Sequence, residues 1–182
     1  MALHIVTMAS ALMLGAITPV AIVGCAPASS APVADGRERV TLGGKTFLLE
    51  LAADDATRVR GLSGRDEIAA DGGMLFVFPR SQRLEFVMRD CLVDIDIIFV
   101  DGTGRITAMH EMKVEPPRRE DEPKTDDPRL DRYEARLPRY SSRYDAQFAI
   151  ELRGGTIATL SPRPEAGERV NLDVVRLKRL AR

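Results

Sequence analysis

The chain has few of the residues that most often build metal centres and nucleophilic catalytic sites. Its 182 residues include two cysteines and two histidines. Because His4 lies in the apolar leader described below, His110 stands alone in the remaining chain, which excludes a histidine-based metal cluster. No G-x-S-x-G motif is present, so no serine nucleophile elbow can be assigned. We therefore predict no metal and no cofactor.

Tryptophan is also absent, and aromatic residues make up only 5% of the chain, so a core must be built from aliphatic residues and phenylalanine. The net charge of −1 gives no electrostatic reason to expect nucleic acid as a partner. The hydrophobic fraction of 45% and the charged fraction of 29% are typical of a soluble globular domain. The length suits one domain with an appendage.

Charge is missing altogether from residues 1–24, which is typical of the apolar core of a secretory leader. The following Ile22-Val23-Gly24-Cys25 resembles a bacterial lipobox, in which Cys25 becomes the lipidated N-terminus. Acyl chains on Cys25 would anchor the protein, since each buried CH₂ contributes about 0.8 kcal/mol. A cleaved leader without lipid and an uncleaved anchor stay open as alternatives. We predict an exported, membrane-anchored lipoprotein on the periplasmic side of the cell envelope.

The rest of the chain divides by composition. Residues 25–36 are small and proline-containing, which predicts a flexible tether. A single folded domain is then expected over residues 37–182. Residues 115–139 combine several prolines with charges of both signs and few aliphatic side chains, so they predict a long charged excursion rather than a packed element.

Within the domain, short apolar or alternating runs separated by turn signals predict a tight hairpin at Gly43-Gly44, separate strands in GGMLFVF, which ends at Pro79, and in LEFVM, and about eight strands in total. The last is expected in the alternating stretch ERVNLDVVRL, residues 168–177. Asp54 or Asp55 as N-cap and Gly61 as stop bracket one short helix, and a second helical turn is expected near Gly155. The predicted fold is mainly β, α+β at most, with a compact barrel- or sandwich-like domain and one or two short helices.

Four sequence blocks carry a family resemblance. They are R-x-R-G-L-S-G-R at 58–65, G-G-M-L-F-V-F at 72–78, F-V-M-R-D-C-L-V-D-I-D-I-I-F-V-D at 86–101, and G-R-I-T-A-M-H-E at 104–111. In this order they resemble the family called domain of unknown function 192. The resemblance implies a mainly β fold with short helices, frequent export, and no securely assigned activity. It departs at Val87 and Asp94, where the family usually has tryptophan and proline.

The third block places charged residues in an otherwise apolar run. Asp94 and Asp96 would share one face of a strand, about 7 Å apart, and are weak candidates for the acid/base pair of an envelope hydrolase. Alternatively they accept backbone N–H groups at a kink, which the family's usual proline favours. Arg89 needs a carboxylate or an anionic ligand if it is buried. Asp90 and Asp96 are its candidate partners within the fold.

Arginine and tyrosine are concentrated in residues 132–144, and a surface formed by these side chains could stack on sugars or bind an anion. Its tyrosines could equally pin a long loop onto the domain. The predicted ligand-binding residues are Arg89, Asp96, His110, Tyr140 and Tyr144. We predict a binding or accessory module, with an anionic or glycan ligand, rather than an enzyme. An envelope hydrolase and a purely structural envelope protein are the alternatives.

Overall fold

The computed structural model describes residues 36–123, 125 and 131–182. The predicted leader and most of the tether lie outside these residues. The described chain forms six strands: β1 (Arg37–Leu42), β2 (Lys45–Ala52), β3 (Met74–Phe86), β4 (Ile95–Val100), β5 (Ile106–Met112) and β6 (Tyr140–Arg153). Four short helices accompany them: α1 (Asp55–Arg60), α2 (Arg132–Arg136), α3 (Thr156–Thr159) and α4 (Val174–Leu180). The prediction of a mainly β fold is confirmed.

The strands form one sheet with the order β1-β2-β3-β6-β4-β5. Strands β2 and β3 are parallel, and the other neighbouring strands are antiparallel. The sheet is open, with β1 and β5 at its edges, so it is not closed into a barrel. The last part of β6 is the centre of the sheet, because Glu151 is paired with Met74 of β3 on one side and Ile97 of β4 on the other.

Strand alternation divides the core between the two faces of the sheet. One face buries Leu75, Ile98 and Ile150, and it is covered by α4 through Leu177. We call it the α4 face. The opposite face buries Phe76, Ile97 and Ala149, and it is covered by the segment after α1, including Leu62 and Ile68. We call it the α1 face. Both faces are packed, which explains why β4 is buried at every position.

The number of strands is smaller than predicted because two expected strands form one. The runs GGMLFVF and LEFVM both lie in β3, whose pairing with β6 is irregular between Val77 and Gln82. Pro79 falls in this irregular stretch, where its missing N–H removes no regular ladder bond. The proline therefore interrupts the ladder without ending the strand.

The strand predicted over residues 168–177 is wrong. Arg169 makes one isolated bridge with Arg105, but the chain then turns into helix α4. Asp173 caps this helix, since its carboxylate accepts a hydrogen bond from the backbone N–H of Arg176 at 3.0 Å. A local capping bond and the packing of Leu177 against the α4 face prevail over the alternating pattern.

Helix α1 forms where the capping residues predict it. Asp54 is the N-cap and accepts from the backbone N–H of Thr57 at 2.9 Å. Gly61 ends the helix with a φ of +52°, a conformation that favours glycine. The helix buries none of its own residues, and it leads directly into the Leu62 segment that packs on the sheet.

Candidate functional site

A cleft of about 370 Å³ opens on the α1 face of the sheet. Its volume is in the range of small-molecule sites. We call it the Glu151 cleft. Its lining combines apolar, charged and hydroxyl side chains, from Asp55, Arg58, Val59, Arg60, Gly61, Leu62, Ser63, Phe76, Phe78, Glu85, Phe86, Val87, Arg89, Cys91, Glu134 and Glu151.

One wall is built by the end of α1. The guanidinium of Arg58 reaches back over the sheet, donates to the carbonyl of Val77 at 2.7 Å, and stacks over the ring of Phe78 with its central carbon 5.4 Å from the ring centroid. A Cβ on Gly61 would lie 3.4 Å from the ring of Phe76, so glycine permits the close approach as well as the positive φ. Helix α1 is thereby held against the aromatic part of the cleft.

The aromatic part consists of three phenylalanines of β3. Phe86 packs edge-on against Phe76 and Phe78, with ring centroids 5.2 Å and 6.4 Å apart. Such T-shaped pairs are favourable beyond their buried area. The rings come from both halves of β3, so the irregularity at Pro79 allows one strand to supply a continuous apolar wall.

Glu151 lies beneath this wall, at the centre of the sheet. The residue is 6% exposed and has no hydrogen-bond or ion-pair partner among the described residues. Burial raises the pKa of Glu151 to about 8. Its carboxyl group is therefore mainly protonated at neutral pH and can donate a hydrogen bond. Perturbed titratable groups in clefts are candidates for functional sites.

The predicted excursion contributes Glu134 to the lining of the cleft. Arg89 pairs with Glu134 of α2 at 2.9 Å and donates to the carbonyl of Val59 at 2.6 Å. The sequence predicted Asp90 or Asp96 as the carboxylate beside Arg89, but in the structure the ion-pair partner of Arg89 is Glu134 instead. A residue that lies 45 positions further along the chain takes this place, and it brings α2 to the cleft.

Tyr133 anchors α2 to the domain. It is buried between two guanidinium groups, with Arg118 and Arg136 at 4.4 Å and 4.8 Å from the ring centroid. Two carboxylates complete the arrangement: Asp131 accepts two hydrogen bonds from Arg118 at 2.8 Å, and Glu122 accepts from Arg136 at 2.8 Å. These hydrogen bonds lower the pKa of each carboxyl to about 2. This tyrosine therefore pins the excursion, as one of the two interpretations expected.

The thiol of Cys91 is a poor nucleophile in this setting. Burial raises its pKa to about 12, and the negative charge that Glu151 carries when ionised acts in the same direction. The thiolate is the reactive form of cysteine, so a thiol in this state is unreactive at neutral pH. Its Sγ makes a weak contact of 3.6 Å with the carbonyl of Arg89.

The two aspartates expected as an acid/base pair accept hydrogen bonds from backbone N–H groups. Asp96 is 1% exposed and accepts from the N–H groups of Gly155 and Ile157 at 3.1 Å and 2.7 Å. Burial raises the pKa of Asp96, and the two N–H groups lower it in part. Asp94 accepts from the N–H of Val114, and then from Lys113, both at 2.9 Å, and these bonds lower its pKa.

Strand pairing also separates Asp96 from the cleft. Asp96 is opposite Leu152, which belongs to the α4 face, whereas Glu151 is opposite Ile97 on the α1 face. The sheet therefore lies between Asp96 and the cleft that Arg89 lines. The two residues that the sequence singled out as one ligand surface are on opposite sides of the sheet.

The remaining predicted ligand residues lie beside the cleft or outside it. His110 packs 5.7 Å from Tyr140 and 6.0 Å from Phe99, and Phe99 packs 5.5 Å from Phe86. His110 and Tyr140 therefore continue the aromatic row behind the cleft wall. The Nε2 atom of His110 lies 2.8 Å from the carbonyl oxygen of Ser141. Tyr144 is 68% exposed on β6 and does not line the cleft.

Sequence reasoning missed Glu151, the buried carboxyl residue in the lining of the cleft. Glu151 is the single charged residue in the apolar stretch Phe148–Leu152, which is the same signal that drew attention to Asp96. Strand parity places it on the same face as Ala149, opposite to Phe148 and Ile150. The phenylalanine wall was predicted only as strand core.

Cys25, the predicted lipidation site, lies outside the described residues. Within the described ranges, no helix has the length and apolar character needed to cross a membrane. The same ranges contain no group of three or more His, Cys, Asp or Glu side chains suited to a metal ion.

The family comparison covers most of the chain. The model of the DUF192 family, described as "Uncharacterized ACR", matches residues 38–172. These residues include all four sequence blocks. None of the curated proteins matches the chain.

Two solved structures share the fold. A protein of unknown function from Novosphingobium aromaticivorans DSM 12444 is 25% identical, with a TM-score of 0.56, and the match covers 84% of this chain and 97% of that one. A protein from Sinorhizobium meliloti 1021, provisionally described as a transcription regulator, is 28% identical with a TM-score of 0.55. That match covers 74% of this chain and 90% of the other.

Proposed function

This chain belongs to the DUF192 family of uncharacterised proteins, and we propose that it is a binding or accessory module that holds a small ligand in the Glu151 cleft. One observation carries the proposal: three of the four sequence blocks meet at this cleft. The first block supplies Arg58 to Ser63, the second Phe76 and Phe78, and the third Phe86, Val87, Arg89 and Cys91. Separate segments that converge on one apolar cleft with a few polar groups are typical of a ligand site.

The chemistry of the lining suits an apolar molecule with few polar groups. Three phenylalanine rings form the wall, and the charged groups Arg58 and Arg89 are engaged by protein partners. Arg60, at the end of α1, is exposed at the edge of the cleft and makes no ion pair within the described chain. An anionic group of a ligand would be placed at Arg60, and an uncharged ring, including that of a glycan, against the phenylalanines.

The hydrolase alternative gains no support from the positions of its expected residues. Asp94 and Asp96 both accept hydrogen bonds from backbone N–H groups, and neither lines the cleft. A binding role therefore fits the geometry better than acid/base catalysis by this pair.

We further propose that the module is exported and held at the membrane by lipid on Cys25. The apolar leader and the lipobox-like sequence support this location. The first strand begins at Arg37, so about a dozen residues would separate the lipid from the sheet. The module would then meet its ligand on the periplasmic side of the envelope.

The absence of tryptophan allows a direct test of the binding site. In a Val87→Trp variant of the full chain, the new indole would line the cleft, at a position where the family usually has tryptophan. A Val175→Trp variant is the matched control, since Val175 is 59% exposed on α4 and does not line the cleft. Both proteins would be titrated in detergent micelles with aromatic, anionic and sugar fragments, while the indole fluorescence is recorded.

The proposal predicts saturable changes in emission for at least one class of fragment in the Val87→Trp protein, with no saturable change in the control. Equal responses in the two proteins, or no response to any fragment, would contradict a ligand site in the cleft. Either result would favour the purely structural alternative.

A further inference from the structure

The position of Glu151 restricts what can occupy the inner end of the cleft. Its side chain leaves the middle strand of the sheet on the α1 face, between Met74 of β3 and Ile97 of β4. Both neighbours are buried and apolar. The carboxyl group therefore cannot find a partner on the adjacent strands, and the cleft is the space it faces.

An unpartnered polar side chain in such a place is unusual. Buried polar groups in folded proteins are nearly always hydrogen-bonded. Glu151 is more than nine-tenths buried and has no hydrogen-bond or ion-pair partner in the described part of the chain. Its carboxyl oxygens are not among the fully enclosed, unpaired side-chain atoms of the described chain, so they stay accessible from the cleft, and a molecule in the cleft can form a hydrogen bond with them.

The charges around Glu151 favour an uncharged partner. Arg58 is paired with Asp55 and bound to the carbonyl of Val77, and Arg89 is paired with Glu134. Neither guanidinium is available to neutralise an anion beside Glu151. A charge buried without a counter-charge is strongly disfavoured, whereas a neutral oxygen needs only a hydrogen-bond donor. Burial keeps the proton on Glu151 at neutral pH, so its carboxyl group is such a donor.

We infer that the cleft selects uncharged molecules with an aromatic or aliphatic body and a carbonyl or hydroxyl oxygen, and that this oxygen accepts a hydrogen bond from the carboxyl group of Glu151. The body would pack against Phe76, Phe78 and Phe86. The inference rests on the proposed function, because it names the ligand chemistry of the same cleft. It favours a neutral ligand over an anionic one at the inner end.

Three probes of similar size test the chemistry: acetophenone has a carbonyl oxygen, ethylbenzene has none, and benzoate carries a charge. Their binding to the full chain in detergent micelles can be measured by equilibrium dialysis, with protein-free micelles as the blank. Two variants accompany the wild type. Glu151→Gln keeps a neutral N–H donor, whereas Glu151→Met has nearly the same volume and no donor.

The inference predicts that acetophenone binds the wild-type and Glu151→Gln proteins at least tenfold more tightly than it binds Glu151→Met, since a tenfold change corresponds to one hydrogen bond of about 1.4 kcal/mol. Ethylbenzene should not distinguish the three proteins. In the wild type, benzoate should bind more weakly than acetophenone.

A pH series adds a second readout. Raising the pH from 7 to 9.5 removes the proton of Glu151, so acetophenone binding should weaken in the wild type and stay constant in Glu151→Gln. The other charged groups of the cleft are Asp55, Arg58, Arg60, Glu85, Arg89 and Glu134. The pKa of the Cys91 thiol is raised to about 12, which is above this range.

The possible outcomes separate the two claims. Equal binding of acetophenone to the wild type and Glu151→Met, or tighter binding of benzoate than of acetophenone, would overturn the inference and leave the cleft as a ligand site of other chemistry. Failure of all three probes to bind, combined with a silent Val87→Trp reporter, would overturn both. The melting temperature of each variant, measured alongside, establishes that the proteins compared are folded.

Discussion

Replacing Glu151 by glutamine should stabilise the folded protein at neutral pH. In the unfolded chain the Glu151 carboxyl has its ordinary pKa of 4.5, but burial raises the pKa to about 8 in the folded protein. Between these values the folded state binds a proton that the unfolded state has lost. Stability must therefore fall as the pH rises through this interval. Glutamine has nearly the same shape and is neutral at every pH, so it removes this dependence.

The size of the effect follows from the two pKa values. Neutral pH lies about 2.5 pH units above the ordinary pKa of glutamate, and each unit corresponds to about 1.4 kcal/mol. Protonating Glu151 on folding at pH 7 thus costs about 3 kcal/mol. The cost approaches zero near pH 4, where the carboxyl is protonated in both states. It stops growing above about pH 8, where the folded state also releases the proton.

Urea denaturation followed by circular dichroism at pH 4, 5.5, 7 and 8.5 measures this difference directly. Wild type and Glu151→Gln should have similar free energies of unfolding at pH 4 and should differ by about 3 kcal/mol at pH 7. Glu85→Gln is the matched control, since the Glu85 side chain is 49% exposed and its removal should change stability by less than about 1 kcal/mol. Parallel pH profiles for wild type and Glu151→Gln would refute the reasoning.

Three further changes test other parts of the account. Asp96→Asn should lower the free energy of unfolding by about 1–3 kcal/mol, because the two buried N–H groups bond to different carboxylate oxygens and one of these becomes an NH₂ donor in asparagine. Asp94→Asn, at a partly exposed position, should cost less than about 1 kcal/mol. Equal melting temperatures for these two variants would contradict the assignment. Cys25→Ser should abolish palmitate labelling of the chain in growing cells, and labelling that survives the change would remove the lipoprotein proposal. Glu134→Gln should release Arg89 and tighten the binding of benzoate, measured by equilibrium dialysis; unchanged affinity would show that Arg89 does not reach the ligand space.

The sequence predicted well those elements that are specified by neighbouring residues. The β1–β2 hairpin follows from Gly43 and Gly44, both of which have positive φ. Helix α1 follows from its cap at Asp54 and its stop at Gly61. In each case the signal lies within a few residues of the element, so composition and spacing suffice.

The errors in the predicted fold come from sequence patterns that are compatible with two kinds of local structure. ERVNLDVVRL alternates like a strand, yet it also contains Asp173, which caps a helix, and Leu177, which packs against the sheet. Which reading applies depends on contacts with distant strands. The segment with Pro79 similarly reads as a strand end, although β6 pairs with β3 on both sides of it.

The candidate site was predicted only in part, for a similar reason. Arg89 was correctly identified as a group in need of a carboxylate, but its partner Glu134 comes from the charged excursion, whose position no local pattern reveals. Asp96 stands out in the sequence because it interrupts an apolar run, but the N–H groups from which it accepts hydrogen bonds lie about 60 residues away. Glu151 interrupts a similar run, and only the pairing of the strands distinguishes the two faces.

A crystal structure of the protein soaked with acetophenone would show directly whether Glu151 bonds to a neutral oxygen in the cleft. The account predicts the ring against Phe76, Phe78 and Phe86, with the carbonyl oxygen about 2.7 Å from a carboxyl oxygen of Glu151. The same soak of Glu151→Met crystals should show a cleft without the probe in that pose. Acetophenone bound elsewhere on the protein, or bound in the cleft with its oxygen turned away from Glu151, would contradict the account.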